Sequence, residues 1–282
     1  MHLYYDPRDD AAHEARGSQI LYWLDDLNAR PLSEARADST GFLFAGSRGI
    51  EDYHELVALY PLLRDRPNER EPLLKLDDVL STLAVAGVQV PTPRTWIIPP
   101  DSPIPDDITF PLFIRTAETS MKLGGRISRV RNRRELIDEM SELRRALKWD
   151  AVVLAREWLD LAPAGEGTYG LVPQEVRVWV VDGIPRAWSF HHLHIVPKPD
   201  GFPPNSADLA HIRDIAVRVG SAFRSRFVAV DVAKTTAGEW VFIEAGPGSC
   251  AGTGHEKVFK AVASRLIGQN MAFASDSVGG VW

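Results

Sequence analysis

The segment FVAVDVAKTTAGEWVFIEAG, residues 227–246, constrains the fold more than any other because it sets its own register. β-Branched and aromatic residues run on both sides of a turn signal, which predicts an antiparallel hairpin. With Ala237 and Gly238 as the two turn residues, partner numbers sum to 475, so Thr236 faces Glu239 and, further back, Asp231 faces Glu244. Opposed residues hold their Cβ atoms about 4.5–5.5 Å apart, a distance at which two carboxylates repel. Alternation places Val228, Val230, Val232, Val241, Ile243 and Ala245 on one apolar core face. Asp231 and Glu244 share the other face with Phe227, Ala229, Ala233 and Phe242, surroundings too apolar for a solvated surface. A hard divalent cation such as Mg²⁺ would relieve the repulsion. The alternative is an exposed acidic pair stabilised by Lys234 or an arginine.

The remaining chain interleaves helices with strands. GSQILYWLDDLNA and DYHELVALYPLL carry helical spacing, and GFLF between them reads as a short strand. A helix from Lys75 to Gly87 leads into strands over 95–98 and 112–116, separated by the Pro-rich crossing PPDSPIPDDITFP. A glycine loop, a strand over 126–130 and a charge-rich helix over 134–147 follow. AVVLAREWLDL and EVRVWVVDGIPRAWSFHHLHIV read as strands, the latter turning at Asp182-Gly183, and helices are expected over 207–223 and 256–267. The pattern predicts a mixed α/β (α+β) enzyme-like fold. The expected units are an N-terminal α/β region over 1–100, a small unit over 101–170 and a larger one over 171–282.

Composition excludes several classes of protein. A net charge of −6 argues against a basic nucleic-acid binder, and one cysteine cannot form an internal disulfide. No stretch approaches the ~20 apolar residues of a membrane span, and the N-terminal residues lack the apolar core of a secretory signal, so a cytoplasmic protein is expected. GPGSCA, residues 246–251, imitates a dinucleotide-binding fingerprint, but no second strand with an acidic residue follows. In SFHHLHIV, read as a strand, His192 and His194 share a face. Without a carboxylate or cysteine at ligand spacing, the three histidines read as a polar face or a substrate contact in preference to a metal site.

Taken in order, several of these segments resemble the ATP-grasp superfamily. Its nucleotide site ends on an Asp in one strand and a Glu-x-Asn in the next, similar to Asp231 and Glu244 here. Lys75 looks like the first basic residue of the family, and Arg115 in FPLFIRT stands where a second phosphate-contacting residue is expected. MKLGGRISRV is similar to the loop that closes over the phosphates, with Lys122, Gly124 and Gly125. LAREWLDL resembles the adenine hinge, with Arg156, Glu157 and the backbone of Leu159, and EVRVWVVDG supplies Arg177 as a phosphate-directed arginine. The resemblance spans about residues 74–254 and implies an ATP-grasp fold that binds ATP and Mg²⁺, the metal on Asp231 and Glu244, with Arg115 and Arg177 as catalytic residues.

Two positions depart from the pattern. Arg115 replaces the usual lysine, similar to an ATP-grasp clade whose lid carries arginine, and Gly246 stands where the Asn metal ligand belongs. The resemblance implies an ATP-dependent carboxylate–amine (or thiol) ligase working through an acylphosphate. Gly246 motivates the alternative of a nucleotide-binding module that has lost ligation. Expected partners are small carboxylate and amine substrates or a peptide, with no nucleic acid or membrane; the acceptor is expected beside residues 246–254 and His191 to His194.

Overall fold

The computed structural model describes residues 2–5, 27–44, 50–64, 66–117, 129–146, 150–167, 170–193, 195–251, 255–269 and 276–282. The helix expected over GSQILYWLDDLNA and the glycine loop with Lys122, Gly124 and Gly125 lie outside the described residues.

The chain opens with a parallel sheet of β1 (His2–Tyr5), β2 (Arg30–Pro31), β3 (Gly41–Phe44) and β4 (Leu63–Arg64), in the order β2-β1-β3-β4, with α1 (Ile50–Leu59) between β3 and β4. Two short helical turns lead to α2 (Leu76–Val85), whose first turn carries Asp77 and Asp78, the favourable end for negative charge. It stops in a Schellman motif: Gly87 adopts φ +67°, its N–H donates to the Ala84 carbonyl, and the Val88 N–H donates to Leu83.

The second sheet takes β5 (Thr95–Ile98), β6 (Leu112–Thr116), β7 (Arg129–Val130) and β8 (Val153–Glu157) in the antiparallel order β5-β8-β6-β7. It thus draws a strand from each side of the Pro-rich crossing. The helix α3 (Arg133–Ala146) spans β7 to β8 and buries Leu136, Met140 and Leu143, spaced on one helical face, against Ile98, Leu112, Ile114 and Val153. A hairpin of β9 (Pro163–Gly167) and β10 (Gly170–Pro173) follows.

The largest sheet contains β11 (Glu175–Val181), β12 (Ile184–Phe190), β13 (Phe227–Lys234), β14 (Trp240–Pro247) and β15 (Gly279–Val281), antiparallel in the order β14-β13-β11-β12-β15. Two helices cover it, α4 (Ser206–Ser221) and α5 (Glu256–Leu266). One face packs Val176, Val178, Val180, Val228, Val230 and Val232 against α2 and α4. The other packs Trp179, Phe227 and Ala229 against α5 and the N-terminal sheet. Phe227 stacks on Trp179 with ring centroids 5.5 Å apart, and Phe42 and Phe44 meet it edge-on. Gly248 is required there, because a Cβ would lie 2.5 Å from the Phe227 ring. The fold is mixed α/β, as the sequence pattern predicts.

The β13–β14 hairpin departs from its expected register in two places. Its loop has three residues: Thr235 donates to the Glu239 carbonyl, the Gly238 N–H donates back to Thr235, and Gly238 sits at φ +90°. Thr236 therefore does not face Glu239. Near the turn Lys234 pairs with Trp240 and Val232 with Phe242, one residue off the expected register. Ile243 is then extra, a β-bulge, and beyond it Asp231 pairs with Glu244 as expected. The bulge reverses the alternation of β14, so Trp240, Phe242 and Ala245 enter the core in place of Val241, Ile243 and Ala245.

Candidate functional site

The two carboxylates point out of the side of the large sheet that faces away from α2 and α4. Asp231 lies directly opposite Arg177 on β11, and the pair closes with two bonds, Nε to Oδ1 at 2.8 Å and Nη2 to Oδ2 at 2.7 Å. Both residues are buried. Burial disfavours the Arg177 charge, yet the attraction and hydrogen bonds of Asp231, with help from Glu244 and Glu175, raise its pKa above the ordinary value. Glu244 receives Arg115 Nη1 from the second sheet at 2.6 Å. The expected cation between the carboxylates is thus replaced by two arginines, one for each.

A third arginine joins them from β8. Arg156 donates Nη1 to the carbonyl of Ile243, the bulged residue, at 2.8 Å, and Nε to Thr95 Oγ1 at 3.3 Å. The bulge therefore presents both a carboxylate and a carbonyl to the neighbouring sheet. Arg156 Nη2 is buried with no hydrogen-bond partner among the described residues. Burial, and then the nearby charge of Arg115, push the Arg156 pKa down to about 10, which marks a site short of negative charge.

Lys75 is exposed at the N-cap of α2. The next N–H, that of Leu76, donates to the carbonyl of Ala117, two residues beyond Arg115, and so holds Lys75 near the end of β6. Gly246 pairs with Ala229 at the far end of the same carboxylate strand. A Cβ there would meet nothing closer than the Leu73 carbonyl, 4.0 Å away, and its φ is not in the left-handed range, so neither packing nor backbone demands glycine.

The hinge segment is pinned on both sides of Leu159. The Trp158 N–H donates to the Pro111 carbonyl, and the Asp160 carbonyl accepts from the Thr236 N–H. The Leu159 backbone itself makes no hydrogen bond among the described residues. Glu157 Oε2 accepts from the Arg94 N–H at 3.3 Å, so its carboxylate also braces the segment.

The histidine segment differs from its expected form. The strand β12 ends at Phe190, and His191 and His192 occupy the turn beyond it, while His194 lies outside the described residues. Freed from strand alternation, both rings reach Glu175, which sequence reasoning did not single out: His192 Nε2 lies 3.0 Å from Oε2 and His191 Nε2 lies 3.9 Å from Oε1. A signal was present in the hairpin turn, but Asp182-Gly183 alone pairs Glu175 with Phe190. An extra residue at Arg186 shifts the ladder by one, so that the His191 N–H donates to the Glu175 carbonyl.

Comparison with known proteins gives one family and several related folds. A family model for an ATP-grasp domain, family 3 of its clade, matches residues 96–266. No curated protein matches the sequence. Among solved structures, a RimK domain ATP-grasp protein from Sphaerobacter thermophilus aligns over 95% of this chain and 100% of its own, with TM-score 0.58 and 13% identity. D-alanine–D-alanine ligase from Bacillus anthracis aligns over 95% of both chains with TM-score 0.59 and 13% identity. The same enzyme complexed with ATP aligns over 80% of this chain and 76% of its own, with TM-score 0.55 and 13% identity. At this identity the likeness is one of fold.

Proposed function

Because the chain belongs to the ATP-grasp superfamily, as a member of the clade's family 3, we propose that it is an ATP-dependent ligase joining a small carboxylate to an amine or thiol. The observation that carries this reading is the convergence of Arg115 and Arg156, from one sheet, on Glu244 and Ile243 of another, beside the Arg177–Asp231 pair. Three arginines against two carboxylates leave one net positive charge, with Lys75 at the rim, in a largely dehydrated site. That donor set fits a triphosphate, and the unpartnered Arg156 Nη2 is a buried donor of the kind a phosphate oxygen satisfies.

The residues divide into roles. Arg115, Arg156, Arg177 and Lys75 neutralise the phosphates, with the loop of Lys122, Gly124 and Gly125 closing over them. The unbonded backbone of Leu159 meets the adenine edge, and Glu157 supports it. Glu244, with Asp231 behind it, holds Mg²⁺, which supplies charge stabilisation on the transferring phosphoryl group. The second sheet with α3 serves as the lid, within the division 1–100, 101–170 and 171–282. In the first step a substrate carboxylate oxygen bonds to the γ-phosphorus as the bond to the ADP oxygen breaks. The amine or thiol then attacks the acyl carbon, phosphate leaves with the C–O electron pair, and the nucleophile gives up its proton.

The bond pattern also favours a second reading, a nucleotide-binding module without ligation, because Gly246 offers no side-chain oxygen and Arg177 occupies both oxygens of Asp231. ADP and phosphate release that requires both an acid and an amine supports the ligase; tight ATP binding without turnover over a broad substrate panel supports the module. Arg115→Met should weaken ATP binding about 10- to 100-fold, as expected for a lost charge-assisted bond. Unchanged ATP affinity in both Arg115→Met and Lys75→Met would remove the nucleotide from this site under either reading.

A further inference from the structure

We propose that Glu175, His191 and His192 form a binding site for a transition-metal ion of the Zn²⁺ class, separate from the Mg²⁺ site of the proposed ligase. One ligand atom from each side chain lies within 4.8 Å of the other two. Tetrahedral coordination with bonds of about 2.0–2.1 Å holds ligand atoms about 3.3–3.4 Å apart. The measured separations, 3.0 Å from His192 to Glu175 and 3.9 Å from His191 to Glu175, bracket that value. Small side-chain rotations suffice to close the set.

The backbone fixes this convergence. Glu175 begins β11 and its carbonyl accepts the His191 N–H, while the His192 carbonyl accepts the N–H groups of both Ile195 and Val196. Consecutive residues in a strand point to opposite faces, so two adjacent histidines can share one carboxylate only where the strand stops, as β12 does at Phe190. The buried Phe190 ring meets His192 edge-on at 6.1 Å and walls the cluster on its apolar side. The side chains of Glu175, His192 and His191 are 12%, 14% and 22% exposed, dry enough to strengthen coordination and open enough to admit an ion.

The donor chemistry selects the ion. Two imidazoles and one carboxylate suit Zn²⁺ and its neighbours in the first transition row, whereas Mg²⁺ prefers an all-oxygen shell. Three protein ligands leave a fourth position for water or a substrate group, the composition of an exchangeable site. Glu175 and Arg177 alternate onto the same face of β11, about 7 Å apart along the strand, so that position lies on the phosphate side of the sheet.

The test uses the full chain stripped of metal by a chelator, with no nucleotide present, so its outcome is independent of ligase activity. Zn²⁺ alone should bind one ion per chain, Co²⁺ should give the visible absorption of a four-coordinate site, and excess Mg²⁺ should not displace either. Affinity should fall as the pH drops through the imidazole range near about 6.5, since the ligands must be deprotonated. Glu175→Gln and His192→Gln should each weaken Zn²⁺ binding by at least about 10-fold, with circular dichroism confirming that the variants are folded. Failure of the wild-type chain to bind Zn²⁺ stoichiometrically, or wild-type affinity in both variants, overturns the site.

Discussion

Two arginine–carboxylate pairs face each other across the site, and they are built differently. Arg177 and Asp231 are ladder partners within one sheet, joined by two bonds, with the Asp231 side chain 3% exposed. Arg115 and Glu244 come from different sheets, share one contact of 2.6 Å, and leave the Glu244 side chain 22% exposed. Spacing within a sheet is fixed by the ladder, whereas spacing between sheets changes whenever one moves against the other. The inner pair is therefore scaffold, and the outer pair is the part that a ligand can remodel. A phosphate arriving at Arg115 competes with Glu244, and a cation arriving at Glu244 competes with Arg115, so the two ligands bind best together.

The largest expected effect breaks the inner pair. Asp231→Asn should lower stability by about 3–5 kcal/mol, measured by chemical denaturation, because it strands a buried guanidinium. This reverses the effect of two bare carboxylates, for which removing one relieves repulsion. Replacing both partners, with Asp231→Leu and Arg177→Met, should recover much of the loss, since the remaining neighbours on that face are apolar. Denaturation of Asp231→Asn within about 1 kcal/mol of wild type would show that the two pairs are alike.

Glu244→Gln should cost less, about 1–2 kcal/mol, because water already reaches the carboxylate and the amide oxygen still accepts from Arg115. Its larger consequence is functional. ATP binding should lose its dependence on Mg²⁺ while remaining measurable by calorimetry, because the arginines persist. A variant whose ATP affinity still rises with Mg²⁺ as in wild type would move the metal away from Glu244.

The two hairpins of the large sheet explain how much of this was legible in the sequence. In β13–β14 a three-residue loop and a bulge at Ile243 shift the register in opposite directions, and the shifts cancel by Asp231. The carboxylate pair was therefore placed correctly from a two-residue turn, while the residues between turn and bulge were assigned to the wrong face. In β11–β12 the two-residue turn at Asp182-Gly183 is present, with both residues at positive φ, but the extra residue at Arg186 is not compensated. Glu175 consequently stayed hidden from His191. Bulges answer to packing and to neighbouring strands, which local alternation does not encode. Helix ends and strands with local signals, such as Gly87 closing α2 and the β-rich run at 95–98, were readable directly. The arginines opposing the carboxylates were recognisable one by one, but their pairing depends on the docking of two sheets, which no spacing along the chain expresses.

The smallest effect on stability, and the sharpest probe of the outer pair, is expected at Gly246. A side chain there has room, since only the Leu73 carbonyl comes within 4.0 Å of the added Cβ, and the backbone imposes no left-handed conformation. Gly246→Asn should change stability by no more than about 0.5 kcal/mol. It lies two residues beyond Glu244 on β14, so strand alternation gives the two side chains the same face. An amide oxygen there adds a hard ligand beside the only carboxylate of the site that water reaches readily. Mg²⁺-dependent ATP binding should tighten in this variant, and combining it with Glu244→Gln should restore part of the lost dependence. If neither change appears while the protein stays folded, the metal does not sit between Glu244 and position 246, and the outer pair is as closed to ligands as the inner one.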